Sequence, residues 1–114
     1  MAYKVKYSEQ AVDDLDEIIR YISQELLSPQ SADNFFKAVY RKLGFLRENP
    51  YMYPLHNDDK LASDGYRFVV IGNYYMFYLV DDVNSIVNIA RILYGKRDIS
   101  LSLFQHEENQ LWKR

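Results

Sequence analysis

Tyr3, Val5 and Tyr7 alternate with Lys4 and Lys6, the period-two pattern of a strand with one buried face. At Ser8 the period changes. Val12, Leu15, Ile18, Ile19, Ile22 and Leu26 recur at three- and four-residue steps, with Asp13, Asp14, Asp16, Glu17 and Arg20 between them. That spacing predicts an amphipathic helix of about five turns. Ser8 is its natural N-cap, and Glu9 sits where the helix dipole favours an anion. Leu27-Ser28-Pro29 breaks the pattern, with Ser28 as a second cap and Pro29 at a first position that needs no N–H. Phe35, Phe36, Val39, Tyr40, Leu43 and Leu46 then form the apolar stripe of a second helix. It must stop before Pro50, because the residue preceding a proline is pushed out of the helical region. So short a connection predicts an antiparallel helical hairpin.

Residues 50–65 carry two prolines, the charged Asp58-Asp59-Lys60 and no period, which reads as a long loop. Loops of that length in compact domains are commonly functional or disordered. Three strand patterns follow: Tyr66–Ile71, Tyr74–Val80 and Ser85–Tyr94. Gly72-Asn73 joins the first two at the two-residue spacing of a tight hairpin, and Asp81-Asp82-Val83-Asn84 turns the chain again. Gly95 ends the last strand. The remainder is polar, with Ile99, Leu101, Leu103, Phe104, Leu111 and Trp112 as scattered anchors. The expected fold is α+β: a strand, an antiparallel helical hairpin, a three-stranded antiparallel meander and a C-terminal tail. Residues 1–98 form the domain in this reading, and 99–114 are an extension packing on it.

A chain of 114 residues is one domain in size. Its 48% hydrophobic and 26% charged residues suit a globular fold rather than disorder. The 14 basic and 16 acidic side chains give a net charge of −2, divided evenly between the two halves. No polybasic nucleic-acid tail is present. Cysteine is absent, so disulfides, thiolate metal sites and cysteine nucleophiles are excluded. His56 and His106 are the only imidazoles, with no carboxylate cluster at ligand spacing; no metal and no cofactor are expected. The longest uncharged run, Phe68 to Val80, is too short to span a bilayer. Without a signal-peptide pattern at the N-terminus, the expected compartment is the cytoplasm.

Candidate chemistry reduces to cations and tyrosines. Arg67 and Arg91 lie in strands of otherwise apolar residues, and Lys96 and Arg97 follow the last strand. A charge inside such a strand must reach solvent or a partner. If both hairpins use two-residue loops, Arg67 pairs near Tyr78 and Arg91 near Met76, which places both on one face; a slip of one residue would reverse Arg91. A simpler reading makes them sheet-edge arginines paired with Asp81, Asp82 or Asp98. The eleven tyrosines suit a pleated, half-buried surface with hydroxyls at the rim.

The initial strand, the acidic-apolar helix after Ser8, the second helix ending at Pro50, Gly65-Tyr66-Arg67, Gly72-Asn73-Tyr74-Tyr75-Met76-Phe77-Tyr78 and Arg91-Ile92-Leu93-Tyr94-Gly95-Lys96-Arg97-Asp98 together resemble the RelE/ParE toxin superfamily of type II toxin–antitoxin modules. The resemblance covers about residues 3–99. It implies two alternative targets. In the RelE-like branch the toxin is a ribosome-dependent mRNA endonuclease, for which Arg67, Arg91, Tyr94 and Arg97 are the candidate catalytic residues. This chain departs from that pattern. The tyrosine expected six residues after Arg97 is Leu103, and the usual lysine cluster reads His56-Asn57-Asp58-Asp59-Lys60. In the ParE-like branch the toxin binds DNA gyrase and needs no nuclease centre. The thin cation set and the acidic charge favour this branch, since RNA docking relies on basic residues. A third possibility is a non-toxic member that only binds its antitoxin. All three imply a cognate antitoxin, with Tyr74, Met76, Tyr78 and Lys96 as candidate partner-binding residues. DNA would be bound only indirectly, through that antitoxin.

Overall fold

The computed structural model describes residues 2–95. The order is β1 (Lys4–Tyr7), α1 (Glu9–Arg20), a π-helical turn (Tyr21–Glu25), α2 (Pro29–Glu48), α3 (Asp59–Ser63), β2 (Arg67–Ile71), β3 (Tyr74–Asp81) and β4 (Ile86–Tyr94). Ser8 caps α1 as expected, its Oγ accepting the Ala11 amide at 2.9 Å. Ser28 caps α2, with Pro29 at its first position.

The strands form one sheet in the order β1-β4-β3-β2. The meander is antiparallel, and β1 adds to its far edge in parallel with β4. At the β2–β3 hairpin Ile71 pairs with Tyr74, and Gly72 takes φ +60°. A positive φ at the first of two loop residues is the requirement of a type II′ turn, which glycine meets without steric cost.

The helices cover one face of the sheet. Ile18 of α1 and Phe35, Val39 and Leu46 of α2 are buried against Val69, Met76, Tyr78 and Ile89. A large apolar side chain buried this fully contributes about 1.5–3 kcal/mol relative to exposure. The opposite face carries a smaller cluster of Leu61, Tyr66, Phe77, Ala90 and Leu93. Leu61 comes from α3, a short helix inside the stretch expected to be all loop; Asp58 caps it by accepting the Leu61 amide at 3.0 Å.

Two further departures matter. The last turn of the first helix is π-helical rather than α-helical, followed by Leu27 in the left-handed region at φ +51°. And a bulge between Phe77 and Tyr78 shifts the β3–β4 register, so Arg91 opposes Phe77 and not Met76. The two-residue loop assumed for the second hairpin is in fact four residues, 82–85, with Asp81 paired to Ile86. No described helix is long and apolar enough to cross a membrane. The proposed extension at 99–114 lies outside the described residues.

Candidate functional site

β1 ends at Tyr7, opposite Ile89, so β4 runs on past its parallel partner. The start of α1 supplies what a longer β1 would have supplied. Ser8 Oγ donates to the Ala90 carbonyl at 2.7 Å, and Asp14 accepts the Ile92 amide at 2.9 Å. The same carboxylate holds Arg91, receiving Nε at 2.7 Å and Nη2 at 2.8 Å. Both side chains are nearly closed to water, at 7% and 12% exposure. The remaining guanidinium nitrogen, Nη1, is buried without a hydrogen-bond partner among the described residues. Arg91 is thus turned inward onto α1, and its acid is Asp14 rather than Asp81, Asp82 or Asp98.

Arg67 does pair with Tyr78, as the hairpin geometry requires. Its Nη1 donates to the Tyr53 carbonyl at 2.8 Å, and the guanidinium stacks over the Tyr51 ring at 4.9 Å. Tyr78 lies in the same corner, its hydroxyl donating to the Pro50 carbonyl at 2.9 Å. Burial pushes this hydroxyl up to about 12. Arg67 therefore ties the 50–54 segment to the sheet.

Tyr94 stands elsewhere. It pairs with Tyr74, while Arg67 pairs with Tyr78; four residues of strand separate those partners by about 13 Å. Arg67, Arg91 and Tyr94 are not brought into one site. Arg97 and Lys96 lie outside the described residues. His56 lies against the aromatic rings of the opposite face, 5.2 Å from Phe68 and 5.5 Å from Phe77, with Nδ1 accepting the Asp58 amide. No group of three described residues is placed to hold a metal.

Of the expected partner-binding residues, Met76 and Tyr78 are both 0% exposed. This corrects their assignment to a contact surface. Tyr74, Met76 and Tyr78 alternate along the face of β3 that the helices cover, so only the uncovered end remains accessible. Tyr74, at that end, is half-buried and lines a groove with Tyr21, Ile22, Leu26, Ser31, Asn73 and Tyr94. The helical residues of the groove escaped sequence reasoning, because Ile22 and Leu26 fit an α-helical core stripe and the π-turn leaves no mark in the spacing.

The family model of the ParE toxin of type II toxin–antitoxin systems, parDE, matches residues 5–99. The chain belongs to this family. Solved structures agree on the fold. The chromosomal ParDE toxin–antitoxin system from P. aeruginosa aligns with a TM-score of 0.65 at 17% identity, over 83% of this chain and 98% of the other. A mutant of the E. coli toxin RelE in the free state gives 0.59 at 14% identity, over 97% and 99%. The toxin–antitoxin complex RelBE2 from Mycobacterium tuberculosis gives 0.57 at 22% identity, over 82% and 99%. No curated protein matches the sequence. This family member is a type II toxin whose structural relatives include both ParE and RelE proteins, so the fold leaves its target open.

Proposed function

We propose that this toxin arrests growth in the ParE manner, by binding DNA gyrase, and is neutralised by a cognate antitoxin. One observation carries the choice of target: Arg91 is committed to Asp14 in a buried, two-pronged ion pair. An RNA-cleaving centre needs cations free to meet phosphate and to stabilise charge developing in the transition state. A guanidinium already matched by a carboxylate offers little to a second anion. Arg67, engaged with Tyr53 and Tyr51, lies about 13 Å along the sheet from Tyr94, and the two do not complete such a centre with Arg91. A protein-binding poison needs none of these groups free. The antitoxin partner is supported by family membership and by the apolar groove at Tyr21, Tyr74 and Tyr94.

Pulse-labelling of DNA, RNA and protein synthesis after induction tests the reading. DNA synthesis should stop first, with gyrase inhibition by the purified toxin in vitro. Arrested translation, with mRNA cuts inside codons that vanish on Arg67→Ala, would establish the endonuclease instead. Unimpaired growth alongside a stable antitoxin complex would identify a non-toxic member.

A further inference from the structure

The outward side of α1 and α2, away from the sheet, carries apolar side chains that no described residue covers. Phe36 and Tyr40, one turn apart on α2, are 51% and 74% exposed, and Val12 on α1 is exposed with them. Between the helices, Leu15, Ile19 and Phe36 line an open recess of about 500 Å³, rimmed by Asp16 and Arg20. None of these residues belongs to the groove at Tyr21, Tyr74 and Tyr94. Gly44 follows Tyr40 by one turn. Glycine inside a helix lowers its stability relative to alanine, yet a Cβ here would meet nothing within 4 Å. Nothing among the described residues requires that glycine. What it does permit is the close approach of another helix.

The charges around this strip say what fits it. Phe36 borders the stretch from Leu15 to Arg20, so it stands level with the middle of that stretch. The connection between the helices is short and they run antiparallel, so each step forward along α2 is a step back along α1. Arg20 is then level with Asp33, Asp16 with Lys37, and Asp13 with Arg41. The signs are opposite at all three levels. Lys37 meets Asp33 of its own helix at 2.9 Å, an exposed pair of little strength. Asp13, Asp16, Arg20 and Arg41 form no salt bridge with a described residue.

We infer that this face pairs with a second copy of the chain about a two-fold axis parallel to the helices. Rotation about that axis lays α1 of one copy over α2 of the other, antiparallel and at the same level. Asp16 then meets Lys37, Asp13 meets Arg41 and Arg20 meets Asp33 across the contact, each pair occurring twice by symmetry. Phe36 of each copy enters the recess of the other beside Leu15 and Ile19, and the start of the facing α1 passes close over Gly44. The alternative two-fold, perpendicular to the helices, would set α1 on α1 and bring its carboxylates together, which like-charge repulsion disfavours. The face is about 18 Å long, from the twelve residues of α1, and two helices wide. That is at the low end for a specific interface, so the dimer forms reversibly and at high concentration. The groove at Tyr21, Tyr74 and Tyr94 takes no part in it, and the inference holds whichever process the toxin stops.

Sedimentation equilibrium of the full chain over a wide concentration range tests it, and should show monomer and dimer in exchange. Phe36→Glu should abolish the dimer; the position is exposed, so circular dichroism should show an unchanged fold. Asp16→Lys should weaken the dimer on the order of tenfold, and adding Lys37→Glu to the same chain should restore it. The chain has no cysteine, so Asp16→Cys and Lys37→Cys chains can be mixed under mild oxidation. The mixed disulfide should form ahead of both homodisulfides. A chain that stays monomeric at every concentration overturns the inference. So does a dimer that Lys37→Glu fails to rescue, or one in which position 16 links first to position 16. A dimer that appears only on Trp112→Asp overturns it too, because the chain's own C-terminal segment then holds the face.

Discussion

Asp14 and Arg91 lie seventy-seven residues apart in sequence and form a nearly water-free ion pair in which one carboxylate accepts two of the three guanidinium nitrogens and the neighbouring Ile92 amide. Removing one partner of such a pair leaves an uncompensated buried charge. Asp14→Ala should cost about 3–5 kcal/mol in urea unfolding. The double variant Asp14→Leu, Arg91→Met should recover most of that loss, because apolar replacement of a buried pair is often nearly neutral. A single-variant loss under about 1 kcal/mol would show the pair to be peripheral.

Tyr78 contributes to the alkaline limit. Its folded pKa is pushed up to about 12 by burial, against an ordinary value near 10. The folded state therefore favours the neutral phenol. This contribution is complete below pH 10 and is lost as pH rises towards about 12. Tyr78→Phe should flatten that part of the stability curve. At pH 7 it should cost about 1–2 kcal/mol, because the Pro50 carbonyl loses its buried donor. An unchanged alkaline slope in urea titrations would assign the transition to other tyrosines.

Asp82 governs part of the acid limit. Hydrogen bonds from the Tyr51 and then the Tyr3 hydroxyl hold its carboxyl below the usual range. Stability from this group is present above the ordinary carboxylate pKa and is lost as pH falls through the depressed folded value. Asp82→Asn should make unfolding less sensitive to pH on the acid side, read as a shallower fall in Tm. Because Tyr3 precedes β1 and Tyr51 follows α2, the same variant should also loosen both segments in hydrogen exchange.

Leu27 sits at φ +51° and is 82% exposed. A left-handed conformation costs a branched side chain about 1–2 kcal/mol, and almost nothing at this site is recovered by burial. Leu27→Asn should raise stability by about 0.5–1 kcal/mol, asparagine being at ease in this region. Thermal unfolding that shows no gain would mean that the left-handed conformation at Leu27 carries little strain.

The elements with local causes were legible in the sequence. Ser8, Ser28-Pro29 and Pro50 bounded the helices because capping and proline chemistry act within a turn. Gly72-Asn73 fixed the first hairpin, and with it the pairing of Arg67 with Tyr78. What failed had distant causes. The bulge beside Phe77 displaced Arg91 by one register step, and nothing near Arg91 in sequence announces it. Asp14 looked like one more solvated acid of an amphipathic helix; its role comes from β4 outrunning β1, a property of the assembled sheet. The short α3 was the avoidable miss, since Asp58 before Asp59-Lys60-Leu61-Ala62 is a cap followed by helix formers.

The parallel pairing of β1 with β4 joins Lys4–Tyr7 to residues 86–89, nearly the full length of the described chain. Contacts of such long sequence separation form slowly, after the loop between them has closed. A ribosome must release residues 86–89 before the first strand can find its place. Nascent chains, and chains terminated before β4, therefore lack the finished sheet and every surface that depends on it.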